Sequence, residues 1–169
     1  MTPERDRQVE RIRRRRMRQE QNLFSRMPAA YAASRQQGQN LLQQAAGLSI
    51  VEWRVLWDLS EAGAMTIRDL AEIQRTDHSQ LSRALPAMRK KGLVSVRRDA
   101  SDGRQTLVEI APAGQRAYEK AAPVMQRRRN ALRATFSDEE IAGFIGMLDR
   151  LDEFWRQPIE NILEVEPTE

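Results

Sequence analysis

Cysteine is absent from the 169 residues, and histidine occurs once. The first absence excludes a disulfide framework, a thiol redox switch and any cysteine-ligated metal site. The second leaves no histidine cluster to hold a metal. No apolar run approaches the roughly 20 residues of a membrane span. The N-terminus is rich in arginine but lacks the apolar core of a secretory signal, and its acidic residues argue against a transit peptide. A cytoplasmic protein is therefore the expectation, with no membrane partner. No glycine-rich phosphate loop, nucleophile–base–acid set or metal cluster is present, so no catalytic residue, metal or cofactor is expected.

What the chain does have is charge, unevenly placed. The net charge is +4. Residues 1–20 hold eight arginines against four acids, and residues 75–104 hold eight Lys/Arg against three acids; the remainder is acidic, with 12 basic and 17 acidic residues. Two basic segments on an otherwise acidic chain are the electrostatic footprint of a phosphate-binding face.

The second basic segment lies in a stretch with clear local structure. Thr66 with Asp69 forms a capping box opening a short helix to Ile73, with Ile67, Leu70, Ala71 and Ile73 mostly on one face. Asp77 is an N-cap for a second helix, in which Leu81, Ala84, Leu85 and Met88 recur at helical spacing and which Gly92 closes. Two runs, Leu93–Arg98 and Gln105–Ile110, flank the hairpin signal Asp102-Gly103. Crossed helices followed by a basic hairpin predict a winged helix-turn-helix, an arrangement that reads DNA.

Around it the chain reads as helices. Pro28 fits a first helical turn, so a helix is expected from there to about Ala46, ending at Gly47. Ser49 with Glu52 caps a nearly fully buried helix from Ile50 to about Glu61, and Met65 is placed to add a third strand. Ala111-Pro112 starts a long helix to about Arg133. Ser137 with Glu140 caps a last one, striped by Ile141, Phe144, Ile145, Leu148, Leu151 and Trp155. This much amphipathic helix exceeds what one small core needs; a second copy would cover the surplus, the alternative being a helical cap folded back on its own domain. Residues 1–20 read as a solvated, partly helical or disordered tail, as an arm adding phosphate or minor-groove contacts, or as a helix embracing a partner subunit.

These runs together resemble the MarR family of transcription regulators. The resemblance rests on Leu48-Ser49-x-x-Glu52-Trp53-Arg54-Val55-Leu56, Leu70-Ala71, Leu81-Ser82-Arg83-Ala84-Leu85, Lys91-Gly92-Leu93-Val94, Arg97-Arg98-Asp99 and Asp102-Gly103-Arg104. It covers roughly residues 24–155. It implies a mainly α (α+β) winged helix-turn-helix with long N- and C-terminal dimerisation helices. The organisation expected is a basic extension (1–22), a dimerisation helix (23–47), the DNA-binding lobe (48–110), C-terminal dimerisation helices (111–163) and a tail (164–169). Four departures from the family pattern stand out. Pro86 interrupts the recognition helix, Arg75 occupies a place where a turn glycine is common, Thr76 replaces an apolar residue, and Ala111 replaces an N-cap threonine.

The expected partners are double-stranded DNA, a second copy of the chain and a small-molecule effector. His78, Ser79, Gln80, Ser82 and Arg83 supply the short polar and long donor side chains a recognition helix needs, with Gln80 suited to adenine and Arg83 to guanine or phosphate. Arg104, oriented by Asp102, fits a narrow minor groove. Lys90, Lys91, Arg97 and Arg98 read as phosphate contacts. The bland alternatives are a solvated helix face and a surface salt bridge. Relatives commonly bind aromatic or amphipathic effectors in a cleft, lined here by Tyr31, Trp53 and Trp57 with Arg35 as an anion partner; the competing reading makes the tryptophans core. The function expected is a homodimeric repressor of a pseudo-palindromic operator, relieved by such an effector. The alternative is an architectural or protein-docking winged-helix module without ligand sensing.

Overall fold

The computed structural model describes residues 3–98 and 106–163. They form two compact units, Met1–Met125 and Gln126–Glu169. The first holds α1 (Pro3–Glu20), α2 (Leu23–Ala46), α3 (Ile50–Ala62), β1 (Met65–Thr66), α4 (Ile67–Ile73), α5 (His78–Lys90), β2 (Val94–Arg98), β3 (Thr106–Ile110) and the first part of α6 (Pro112–Arg133). The second holds the rest of α6, α7 (Asp138–Trp155) and α8 (Ile159–Leu163).

Local signals set the boundaries. Three capping boxes form: Ser49 with Glu52 on α3, Thr66 with Asp69 on α4, and Ser137 with Glu140 on α7. Each satisfies two backbone N–H groups that a helix start leaves without an intrahelical partner. Pro112 occupies the first position of α6, as expected. Pro28 does not start its helix. α2 begins five residues earlier, at Leu23 after Asn22, and carries Pro28 in its interior. The proline removes only the donor to the Phe24 carbonyl, and Phe24 is exposed to water, so the helix absorbs the loss. Residues 3–20, read as a tail or arm, are a continuous helix that turns into α2 at Asn22, where the Gln19 and Ser25 side chains hydrogen-bond.

The three strands form an antiparallel sheet in the order β1-β3-β2. Met65 pairs with Val108, and β2 pairs with β3 from Val94↔Ile110 to Arg98↔Thr106. Asp102-Gly103, the expected hairpin turn, lies outside the described residues.

The core of the first unit draws on every layer. Leu42 of α2, Val55, Leu56 and Leu59 of α3, Leu70 of α4, Leu81 and Met88 of α5, and Val108 of β3 are buried together. Gln39 joins α2 to α3: its amide accepts from the Ile50 N–H at 3.0 Å and donates to the Leu48 carbonyl. Gly114 admits α6 to this core. A Cβ there would lie 1.9 Å from the Leu93 carbonyl oxygen and 2.9 Å from Leu56, so only hydrogen fits. In the second unit α7 buries no residue fully, and Phe144, Ile145, Leu148 and Trp155 are exposed.

Candidate nucleic-acid interface

The path from α4 to α5 is tightly specified. α4 ends at Gln74, which is buried, whereas Ile73, expected on the apolar face, is exposed. The exchange has a polar cause. The Gln74 side-chain amide nitrogen donates to Asp58 at 2.7 Å, and the Gln74 main-chain carbonyl accepts from the Arg54 guanidinium at 2.7 Å. The buried side-chain amide and the main-chain carbonyl of one residue are thus each given a partner on α3. Arg75 then adopts the left-handed conformation with φ +46°. The Thr76 N–H returns to the Ala71 carbonyl and the Arg75 N–H to Glu72, which completes a Schellman turn with arginine where glycine is usual.

Asp77 starts α5 by accepting the Ser79 N–H at 2.9 Å and the Ser79 hydroxyl at 2.7 Å. Those two bonds hold the Asp77 carboxyl below the usual carboxylate range. α5 turns Leu81, Leu85 and Met88 into the core and leaves His78, Ser79, Gln80 and Arg83 exposed, with Ser82 half-buried. Ser82 donates to the His78 carbonyl at 2.9 Å, and the Arg83 Nε donates to the Ser79 carbonyl at 3.1 Å. Pro86 stands inside α5 without ending it, on the exposed side, where the undonated Ser82 carbonyl is the cost. The helix closes at Gly92, φ +68°, with the Leu93 N–H bonded to Met88 and the Gly92 N–H to Arg89.

One open groove of about 580 Å³ brings several of these parts together. It is lined by Arg68, Asp69 and Glu72 of α4, His78 at the start of α5, and Thr106 at the base of the wing. Arg68 was not singled out in the sequence; its only signal there was a basic residue off the apolar face of α4. In the wing Arg98 is exposed, and Arg97 bonds Glu109 across the strands at 3.0 Å. Asp102 and Arg104 lie outside the described residues. Lys90 is exposed. Lys91, expected as a phosphate contact, binds buried Glu52 at 2.7 Å with its own side chain still about half exposed. Burial would raise the Glu52 carboxyl, but the Lys91 ammonium and the Ser49 N–H and hydroxyl outweigh it and hold the group below its ordinary value.

The residues expected around an effector divide. Trp53 is buried, stacks on Tyr118 with ring centroids 5.5 Å apart, and meets the half-buried Trp57 at 5.9 Å. Tyr31 and Arg35 are exposed on α2. Tyr118, absent from the sequence reading, is the ring that completes the aromatic set.

A short helix, a fixed turn, an exposed polar second helix and an antiparallel wing define a winged helix-turn-helix protein. The MarR family model matches residues 48–106. Over 116 residues the chain is 30% identical to the uncharacterized HTH-type transcriptional regulator YdgJ of Bacillus subtilis, covering 69% of this chain and 68% of that one. It is 31% identical over 77 residues to the HTH-type transcriptional repressor IacR of Pseudomonas putida, a match spanning 46% of each protein. The crystal structure of the M. tuberculosis transcriptional regulator MOSR in complex with DNA superimposes with a TM-score of 0.66 at 25% identity, covering 80% of this chain and 99% of that one. The chain belongs to the MarR family of DNA-binding transcriptional regulators, which are not enzymes. Among the described residues no helix is long and apolar enough to cross a membrane.

Proposed function

We propose that the chain is a homodimeric repressor that binds a pseudo-palindromic operator and releases it on binding a small aromatic or amphipathic molecule. The observation that carries the DNA half is the two-sided α5: apolar residues hold it in the core while His78, Ser79, Gln80 and Arg83 face water at its N-terminal half. In this reading those four residues and Ser82 meet base edges in the major groove. Lys90, Arg97 and Arg98 bind phosphates, and Arg104, oriented by Asp102, enters the minor groove.

Dimerisation is the reading of the apolar surface outside the lobe. Leu23, Phe24 and Tyr31 of α2 are exposed, as are Phe144, Ile145, Leu148 and Trp155 of α7. Residues 23–47 and 111–163 would bury these side chains against a second copy, and the symmetric pair of lobes would read two half-sites one helical turn apart. The effector would act by favouring one lobe spacing over the other, entering beside Trp57 with Tyr31 and Arg35 at the rim and Trp53 as its floor. IacR, a repressor by name, supports the sign of regulation.

Selection of bound sequences from random duplexes tests the reading, repeated with and without a panel of phenolic acids, alongside the solution mass. A dimer selecting an inverted repeat, released by one acid, is expected. A monomer that selects no sequence would refute it.

A further inference from the structure

We infer that α1 is a second nucleic-acid contact, gripping the phosphate backbone of the duplex flanking the operator. The inference rests on the DNA-binding reading above and extends it to a helix outside the winged lobe. All eight basic residues of α1 are arginine, and all are exposed. At 3.6 residues per turn, Arg7, Arg11, Arg14, Arg15 and Arg18 fall within an arc of about 100° and extend over roughly 16 Å of helix. Glu4 alone shares that arc, at its beginning; Asp6, Glu10 and Glu20 lie outside it. Over that length a duplex carries about ten phosphate charges on its two strands together, or about five on one strand.

The residue type matters as much as the charge. Guanidinium forks bind phosphate oxygens in pairs and are more weakly hydrated than ammonium groups. Arg14 spends its Nε on Glu10 at 2.9 Å, but an exposed pair of this kind exchanges readily for a phosphate. Apolar chemistry does not compete. Val9, Ile12 and Met17 lie on the half of the helix opposite the stripe and are about half exposed, but Arg13 and Arg16 fall between them, so α1 has no continuous apolar face to lay into a lipid surface or against a protein.

The experiment compares the full-length protein with a variant carrying Arg→Gln at 7, 11, 14, 15 and 18, on the selected site alone and on the same site with ten-base-pair flanks. Each lost phosphate contact lowers the slope of log K against log salt by about 0.9, so a fall of roughly 3–4.5 for each stripe engaged on the flanked duplex is expected, with at least about tenfold weaker binding near 0.1 M salt. The bare site should show little difference. Arg→Gln at 5, 13 and 16, outside the stripe, should cost less per charge. Circular dichroism confirms that both variants stay helical; a stripe variant that loses helix is replaced by Arg→Lys at the same positions, which keeps the slope but weakens binding. The inference is overturned if the stripe variant keeps the wild-type slope, if the control triple costs as much per charge, if the only change is in the monomer–dimer equilibrium, or if the wild type binds vesicles of 30% phosphatidylserine through the stripe with no change on DNA. Loss of these outcomes together, with wild type binding no duplex, removes the operator reading itself.

Discussion

The Gln74 side chain donates to Asp58 at 2.7 Å, and Arg54, one helical turn earlier on α3, reaches the Gln74 carbonyl at the same distance. A single buried glutamine thereby ties the helix that carries the tryptophans to the turn that launches α5. Gln74→Leu should remove the bond to Asp58 while Arg54 keeps the main-chain carbonyl of residue 74, and cost about 1 kcal/mol in urea unfolding. Because the launch of α5 loosens as well, operator affinity should fall roughly threefold to tenfold under conditions where the variant is fully folded. Unchanged affinity would show that the tie serves folding alone.

Arg75 sits at φ +46°, a conformation that costs a residue with a Cβ roughly 1–2 kcal/mol. Glycine avoids that cost but loses more entropy on folding. The balance favours Arg75→Gly by about 0.5–1 kcal/mol, read as a higher urea midpoint at unchanged m.

The Glu52–Lys91 pair makes stability depend on pH in a definite direction. Its folded carboxyl lies below the unfolded value, about 4.3 for glutamate. Its contribution is therefore complete above that unfolded value and is lost as pH falls through the lower folded one. Lys91→Met should cost about 1 kcal/mol at pH 7, Lys91 being half-exposed and screened. That cost should shrink as pH falls below the unfolded value and Glu52 protonates. An equal cost at pH 7 and pH 3.5, from denaturant melts, would remove the pair as its source.

Gly114→Ala tests the packing of α6. With a backbone oxygen 1.9 Å from the new carbon, the helix must move, and a loss of about 3 kcal/mol is expected by thermal or urea unfolding. A melt within about 0.5 kcal/mol of wild type would mean that α6 has room to shift freely.

In a gel-shift titration Arg104→Ala and Arg83→Ala should each weaken operator binding by roughly 1–3 kcal/mol, and Lys90→Ala should lose less, by a similar amount on every sequence. Unaltered binding by Arg104→Ala takes the wing out of the mechanism.

Much of the fold was legible because its signals are local. Ser49 with Glu52, Thr66 with Asp69, and Ser137 with Glu140 are reciprocal bonds between residues three apart, so the spacing alone carries the geometry. Asp77 and Gly92 bracket α5 for the same reason, and the period of Leu81, Leu85 and Met88 already marks which face is buried and which is exposed. The start of α2 is not legible from Pro28, because a proline in an exposed helix costs one bond that water replaces, and the helix runs through it.

Tertiary structure decided whatever depended on residues far apart in the chain. Lys91 has its position in the motif but its partner 39 residues back, at Glu52, so no local pattern could show that its ammonium is tied to a buried carboxylate. Gln74 in place of Ile73 as the buried end of α4, Tyr118 stacked on Trp53, and Gly114 against Leu93 likewise came from surfaces meeting across the core. Short-range hydrogen bonding and periodicity determine which helices exist and which face each shows; only packing determines which polar side chains remain available to a ligand.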